Sequence, residues 1–469
     1  MELISPVDSL FLLSESREHP MHVAALQLFE PPEDAGPEFI RDLYANIMAR
    51  EDVSPTFRKH PAELLGGIAN LTWASDRNLD LEYHLRRSAL PAPGRVRELL
   101  ELTSRLHGSL LDRHRPLWES HIIEGLNDGR FAVYTKIHHS LLDGVSAMRM
   151  IRRALSTDPE DHETRVLWGD NERPSGKSRP RTSLLGELRG AVDSVRGLAP
   201  SALYLARKGL FEQQLTLPVG APRTLFNVPI GGARRCAAQS WPIARFMAVK
   251  QAAGVTLNDV VLAVCGGALR AYLLEQNALP DRPLIALVPV NLRDEASPEG
   301  GGNQVGTLLA SLATNVEDPA QRLADVAASM RGNKEVFKQL PKMQQMALSA
   351  FNVAPLLLSS VSPALGSAAA PPFNLVISNV PGSREPLYWN GARLDGNYPL
   401  SIATDGQAMN ISLCNNGDNL DFGLVGCRRS VPSMQRILGH LEDSLTGLEQ
   451  AVGGGRKTST SGRTETTGQ

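Results

Sequence analysis

Apolar positions recur at three- and four-residue spacing in some stretches of the chain and alternate in others. Leu99, Leu102, Leu106 and Leu110 form one helical stripe, which predicts an amphipathic helix. Ser120 to Glu124 and Phe131 to His139 read as strands joined across Gly125-Leu126-Asn127-Asp128-Gly129, whose Asp-Gly pair tolerates the positive φ of a hairpin turn. Val145 to Leu155 continues as a helix. Further on, the pattern predicts a helix over Asn258 to Leu274, a strand over Leu284 to Val290, and a β-rich stretch with turns at Asp405-Gly406 and Asn416-Gly417. Thr157 to Ser183 is polar and Pro-rich with no apolar period, so it reads as a linker or mobile loop. Leu184 to Leu215 recovers helical spacing through Leu188, Val192, Leu198, Leu203 and Leu210, and reads as a crossover between two halves. The division expected is therefore 1–156, a linker with crossover helices at 157–215, a second domain at 216–452 and a disordered tail at 453–469.

Length and composition make two packed domains the expectation. The chain has 469 residues, 42% of them hydrophobic and 21% charged, which is too long for one ordinary domain and too apolar for disorder. Lys and Arg (48) nearly balance Asp and Glu (50), so no overall positive field gathers nucleic acid. The four cysteines, Cys236, Cys265, Cys414 and Cys427, form no CxxC pair, which argues against a disulfide framework or a structural zinc site and for a reducing compartment. Glu2 and Asp8 precede the first short apolar run, so no export signal is expected. A spanning helix is not expected either. The uncharged stretch Met343 to Ser383 is broken by Pro355, Pro363, Pro371 and Pro372, and reads as core packing or as a surface that touches lipid.

The candidate chemistry lies in Thr135-Lys136-Ile137-His138-His139-Ser140-Leu141-Leu142-Asp143-Gly144, where a strand end meets a helix start. On a period-two strand Phe131, Val133, Thr135, Ile137 and His139 share one face and His138 takes the other, so the two imidazoles have different tasks. A histidine can take a proton from an alcohol near neutral pH and return it to a leaving group. Asp143 can fix the loop through an arginine or orient the ring, and Gly144 relieves the backbone at the turn. A strand-end histidine pair is also, more plainly, a satisfied polar edge. No GxSxG elbow is present, Gly176-Lys177-Ser178 lacks the first glycine of a phosphate loop, and no metal-ligand spacing occurs.

With HHSLLDG in view, the chain resembles the bacterial wax ester synthase/diacylglycerol acyltransferase family over nearly its whole length. Leu3 to Asp8, Pro20-Met21-His22-Val23, and Leu111 to Glu119 (LDRHRPLWE, with Pro116 and Trp118) carry the resemblance in the first half. Leu257 to Ala263, with Asn258 and Asp259, Val288 to Arg293 and Ile377 to Gly382, with Asn379, carry it in the second. HHxxxDG alone specifies only the wider superfamily; the other blocks narrow it. Cys414-Asn415 stands where the family usually has Ser-Tyr, and Ser383 follows NVPG where Pro is common, departures that bear on acceptor preference.

The resemblance implies two chloramphenicol-acetyltransferase-like α/β domains with a channel between them reaching the histidines. It implies acyl-CoA as donor substrate, a diacylglycerol or long-chain alcohol as acceptor, no further cofactor and no metal. His139 carries over as general base, supported by His138, Asp143 and Gly144. Bland readings stand beside the others: Thr256 to Asp259 has the form of a helix cap, Arg293 is either an exposed loop charge or the partner of Asp143, and Asn379 suits a turn before Pro381. The expected setting is cytoplasmic, with peripheral contact to the inner membrane or lipid droplets. The rivals are a condensation-type or polyketide-associated acyltransferase using a carrier-bound acyl group, and a non-catalytic lipid-binding protein.

Overall fold

The computed structural model describes residues 2–50, 52–62, 72–142, 144–169, 220–291, 305–340 and 370–454, together with 345, 348–349 and 352. The first half runs through β1 (Glu2–Leu3), α1 (Pro6–Ser14), β2 (His22–Glu30), α2 (Phe39–Met48), β3 (Lys59–Pro61), β4 (Thr72–Ser75), α3 (Leu81–His84), β5 (Leu85–Ala89), α4 (Val96–His107), β6 (Trp118–Glu124), β7 (Phe131–His138) and α5 (Gly144–Arg153). The second supplies β8 (Arg234–Pro242), α6 (Ile243–Ala253), α7 (Leu257–Glu275), β9 (Ile285–Asn291), β10 (Val305–Ser311) and α8 (Pro319–Gln339). It continues with β11 (Leu375–Ser383), β12 (Tyr388–Trp389), β13 (Ala392–Leu400), β14 (Met409–Asn416), β15 (Asn419–Cys427) and α9 (Arg436–Gly454).

These strands build two six-stranded mixed sheets, in the orders β12-β13-β2-β7-β6-β5 and β10-β9-β11-β14-β15-β8, and a small sheet β1-β4-β3. The expected Asp-Gly and Asn-Gly turns are present: Gly129 joins β6 to β7 at φ +84°, and Gly417 joins β14 to β15 at φ +53°. Strand β7 lies between β2 and β6, and every one of its residues is buried. That position explains how a run as polar as Thr135-Lys136-Ile137-His138 comes to lie inside. Lys136 Nζ donates to the carbonyls of Leu106 and Ser109 at 3.2 and 2.9 Å, where α4 ends, and sits 3.4 Å from Glu119.

The strands β12 and β13 come from the second half but complete the first sheet, β13 pairing with β2 from Arg393–Glu30 to Leu400–Ala24. This strand ties the two sheets together. The Asn397 amide donates to the Asp421 carboxylate of β15 at 2.6 Å, and Asn416 donates to the Asp395 carbonyl at 3.2 Å. At Gly423 a Cβ would lie 2.1 Å from the Pro399 carbonyl oxygen, so the strands approach as closely as they do only because that residue is glycine.

The second core forms around α7, whose Val260 to Ala263 and Val264 to Leu269 are buried among β9, β11, β14 and β15 side chains. This helix is long and apolar enough to cross a membrane by length and composition, yet most of it is buried inside the fold. The polar run after Ser156 departs from the expected loop at its start. Within 157–169, Val166 and Trp168 are buried in the first core, because the apolar triplet Val166-Leu167-Trp168 interrupts the charges. Trp389 donates to the Arg165 carbonyl at 2.7 Å and the Ser54 amide to that of Trp168 at 2.8 Å. Residues 170–219 and 455–469, hence the expected crossover helices and tail, lie outside the described residues. All four cysteines are buried and free.

Candidate active site

His138 ends β7 and His139 follows it, and both rings meet the α1 segment, at Glu15 and Phe11. His138 is wholly buried. Its backbone N–H donates to the Leu117 carbonyl at 3.0 Å, and its Nδ1 lies 2.6 Å from the Ser140 hydroxyl and 3.2 Å from the Ser140 amide. Its Nε2 lies 3.4 Å from Glu15 Oε1. His139 is half-buried, and its ring stacks on Phe11 of α1 with centroids 4.1 Å apart and planes within 15°. Its backbone N–H donates to the Met21 carbonyl at 2.9 Å. Gly144 opens α5 directly after the loop.

The odd-numbered face of β7 borders two neighbouring pockets. The first is bounded by Gly144, Ala147, Met148 and Ile151 of α5, by Ala25 and Ile137, and by Ser378, Val380 and Ser412 of the second sheet. The second shares Thr135, Ile151 and Leu167 with the first and is lined further by Gln27, Val133 and Ala154. Its far end is lined by Phe29 and Trp389, whose rings stand 5.6 Å apart. Ile137 to Val133 covers four residues of strand, about 13 Å at the usual rise of roughly 3.3 Å per residue. The lining is mostly apolar; its polar members include Gln27 and Arg165, and Ser120 and Thr135, which hydrogen-bond each other at 2.8 Å.

Trp118 supports this region from behind rather than lining it. It is fully buried, stacked between His84 and Trp168 at 4.6 and 4.7 Å, and donates to the Phe57 carbonyl at 2.9 Å. Pro116 is buried, and its carbonyl accepts the Trp118 amide at 2.8 Å. Asp259 forms a capping box with Thr256: its Oδ2 accepts from the Thr256 amide and hydroxyl at 2.9 and 2.7 Å. Asn258 is half-buried beside it in the first turn of α7. Asn379 lies between Ser378 and Val380, so strand alternation turns it away from the cavity those two line. Asp143 and Arg293 lie outside the described residues. Among the described residues no group of His, Cys, Asp and Glu is placed to hold a metal ion.

Several residues around the histidines carry no sequence signal. Phe11 and Glu15 belong to a short apolar helix and its end, and Glu15 is an ordinary acid until the fold buries it. Arg113 alone had a hint, since it stands in the LDRHRPLWE block; its Nε and Nη2 both reach Glu15 Oε2 at 3.0 Å. Burial raises the Glu15 carboxyl, but contacts with His138 and Arg113 outweigh this and hold it below the ordinary carboxylate value.

A family model described as the wax ester synthase/diacylglycerol acyltransferase catalytic domain matches residues 4–261, and one described as the WS/DGAT C-terminal domain matches 301–449. The "Probable diacyglycerol O-acyltransferase tgs2" of Mycobacterium tuberculosis (strain ATCC 25618 / H37Rv) is 63% identical over 456 residues, covering 97% of this chain and 100% of that protein. Among solved structures, the wax ester synthase/diacylglycerol acyltransferase from Marinobacter aquaeolei VT8 superposes with a TM-score of 0.77 at 41% identity, covering 97% of this chain and 100% of that one. The first condensation domain of the CDA synthetase, at 16% identity and a TM-score of 0.55, covers 96% of this chain and 95% of its own, and shares the fold of two acyltransferase-like domains. The chain therefore belongs to the wax ester synthase/diacylglycerol acyltransferase family and is an acyltransferase.

Proposed function

We propose that the protein transfers an acyl group from acyl-CoA to the hydroxyl of a diacylglycerol, making triacylglycerol, and that long-chain alcohols are accepted in the same site to give wax esters. One observation carries this reading: two mostly apolar pockets lie along the histidine-bearing strand, one of them lined by Gly144 of the HHSLLDG turn. A water-filled or charged site would not select such a substrate; an apolar one removes the chain from water at about 0.8 kcal/mol per methylene.

In this reading His139 acts as general base. The acceptor hydroxyl attacks the thioester carbonyl carbon as its proton passes to the imidazole; the carbon–sulfur bond then breaks, and the same proton goes to the departing CoA sulfur. The products are an ester and free CoA, with no acyl-enzyme on the way. Phe11, stacked on the ring, limits the orientations the imidazole can take. Substrates this insoluble are met at a lipid surface, so we place the protein in the cytoplasm in peripheral contact with the inner membrane or lipid droplets. Phe351, Leu357 and Leu358, the contact expected within Met343 to Ser383, lie outside the described residues. Leu10 and Leu13 of α1 are exposed apolar side chains beside the site that suit the same role.

The test is acyl transfer from radiolabelled palmitoyl-CoA by the purified protein, with dioleoylglycerol, hexadecanol or no acceptor. Labelled triacylglycerol supports the reading. CoA release without ester, or transfer only from an acyl carrier protein, contradicts it.

A further inference from the structure

The helix α1 reaches both histidines at once. Phe11 covers the ring of His139, and Glu15, the residue that ends the helix in extended conformation, turns its carboxylate inward with its side chain only 2% exposed. Oε1 takes two contacts: the Met21 amide at 3.3 Å and His138 Nε2 at 3.4 Å. The Met21 carbonyl, on the other side of the same residue, accepts the backbone N–H of His139 at 2.9 Å. Glu15 thus faces the side chain of one histidine across 3.4 Å and is linked to the backbone of the other through Met21. Arg113 closes the arrangement by meeting Oε2 and by donating to the Leu12 carbonyl of α1 at 2.5 Å.

The hydrogen bonds decide which nitrogen of His138 carries the proton. A backbone N–H can only donate, and the Ser140 amide points at Nδ1 from 3.2 Å; Nδ1 is therefore the acceptor. A neutral ring then carries its hydrogen on Nε2, facing Glu15. The Ser140 hydroxyl, 2.6 Å away, reinforces this by donating to Nδ1. Ser140 bonds the ring at Nδ1, and the Glu15 carboxylate faces Nε2 at 3.4 Å, close enough for charge attraction but without a formed hydrogen bond.

We propose that Glu15 is a positioning residue for acyl transfer, fixing His138 as the Nε2–H tautomer and through it and Met21 the placement of His139. This rests on the general-base role of His139. It differs from a purely structural ion pair because its effect falls on turnover: a misplacement of about 1 Å at a reacting group costs up to roughly 10²-fold.

Two measurements test it. A long-range proton–nitrogen NMR spectrum of the wild-type protein, labelled at its histidine ring nitrogens and assigned with His138→Gln, reads the tautomer without any need for activity. The Nε2–H form supports the proposal, and the Nδ1–H form overturns it. In kinetics, Glu15→Ala is expected to lower kcat on the order of 10²-fold with KM for acyl-CoA within about twofold, while Glu15→Gln, which keeps an acceptor for Met21, recovers part of the loss. A folded Glu15→Ala protein with wild-type kcat overturns the proposal. Should wild type show the Nε2–H tautomer yet no acyl transfer, it is the functional reading that fails, and with it the positioning role.

Discussion

Ala154 stands one residue past α5, buried, and lines the second pocket but not the first. Ala154→Phe places a ring in that pocket, whose lining includes Gln27, Val133, Phe29 and Trp389, and takes up part of its space. If the blockage denies the pocket to about four methylenes, each worth about 0.8 kcal/mol, the loss is about 3 kcal/mol of binding in the transition state. That corresponds to a fall on the order of 10² in kcat/KM for palmitoyl-CoA. Octanoyl-CoA, too short to reach the ring, keeps its wild-type value. The assay is kcat/KM across octanoyl-, dodecanoyl-, palmitoyl- and arachidoyl-CoA with dioleoylglycerol fixed, and then across the corresponding alcohols with palmitoyl-CoA fixed. The arm whose profile shifts identifies which chain the pocket holds. Because overpacking itself costs about 1–3 kcal/mol, melting temperature is measured alongside. A variant that stays folded and lowers every chain length equally, or none, refutes the reasoning.

Asp421 is buried between the sheets, and burial pushes its carboxyl up to about 6 from an ordinary 3.8. A raised folded value means that the favourable contribution is complete below the unfolded value and is lost as pH rises through 6. The difference of roughly two units corresponds to about 3 kcal/mol. Asp421→Asn is therefore expected to gain stability relative to wild type between pH 4 and pH 8 in urea unfolding, and a pH-independent difference contradicts this. Trp118→Ala removes a fully buried indole from the stack with His84 and Trp168, and should cost about 3–5 kcal/mol by the same measurement; a loss under about 1 kcal/mol denies it a core role. For Asp143 and Arg293, a double-mutant cycle of Asp143→Asn with Arg293→Gln should show coupling above the roughly 0.2–1 kcal/mol of exposed pairs, and strict additivity rejects the pairing.

Local pattern carried much of the fold. The stripe through Leu99, the Asp128-Gly129 hairpin, the helix over Asn258 to Leu274 and the histidine turn each follow from spacing and turn chemistry that act within a few residues. What pattern could not show was pairing at long range: nothing in Ala392 to Leu400 marks it as the neighbour of β2, more than 360 residues away in the case of Glu30 and Arg393. Charge density misled at 157–169, where three apolar residues outweigh their surroundings because Trp118 offers a surface to stack on. At the site, the histidine pair stands where a strand ends and a helix follows, as its spacing predicts. Glu15 was not legible, since an acid's role there depends on Arg113, 98 residues later, folding against it. Asp259 shows the reverse case, where the plain capping geometry predicted from Thr-x-x-Asp is what the structure contains.

The central claim is that His139 moves the proton in an acyl transfer, and the most direct measurement is kcat/KM of purified His139→Ala with palmitoyl-CoA and dioleoylglycerol. The account predicts a loss on the order of 10² to 10⁴ with an unchanged circular dichroism spectrum and melting temperature. A well-folded His139→Ala protein that makes triacylglycerol at the wild-type rate contradicts it.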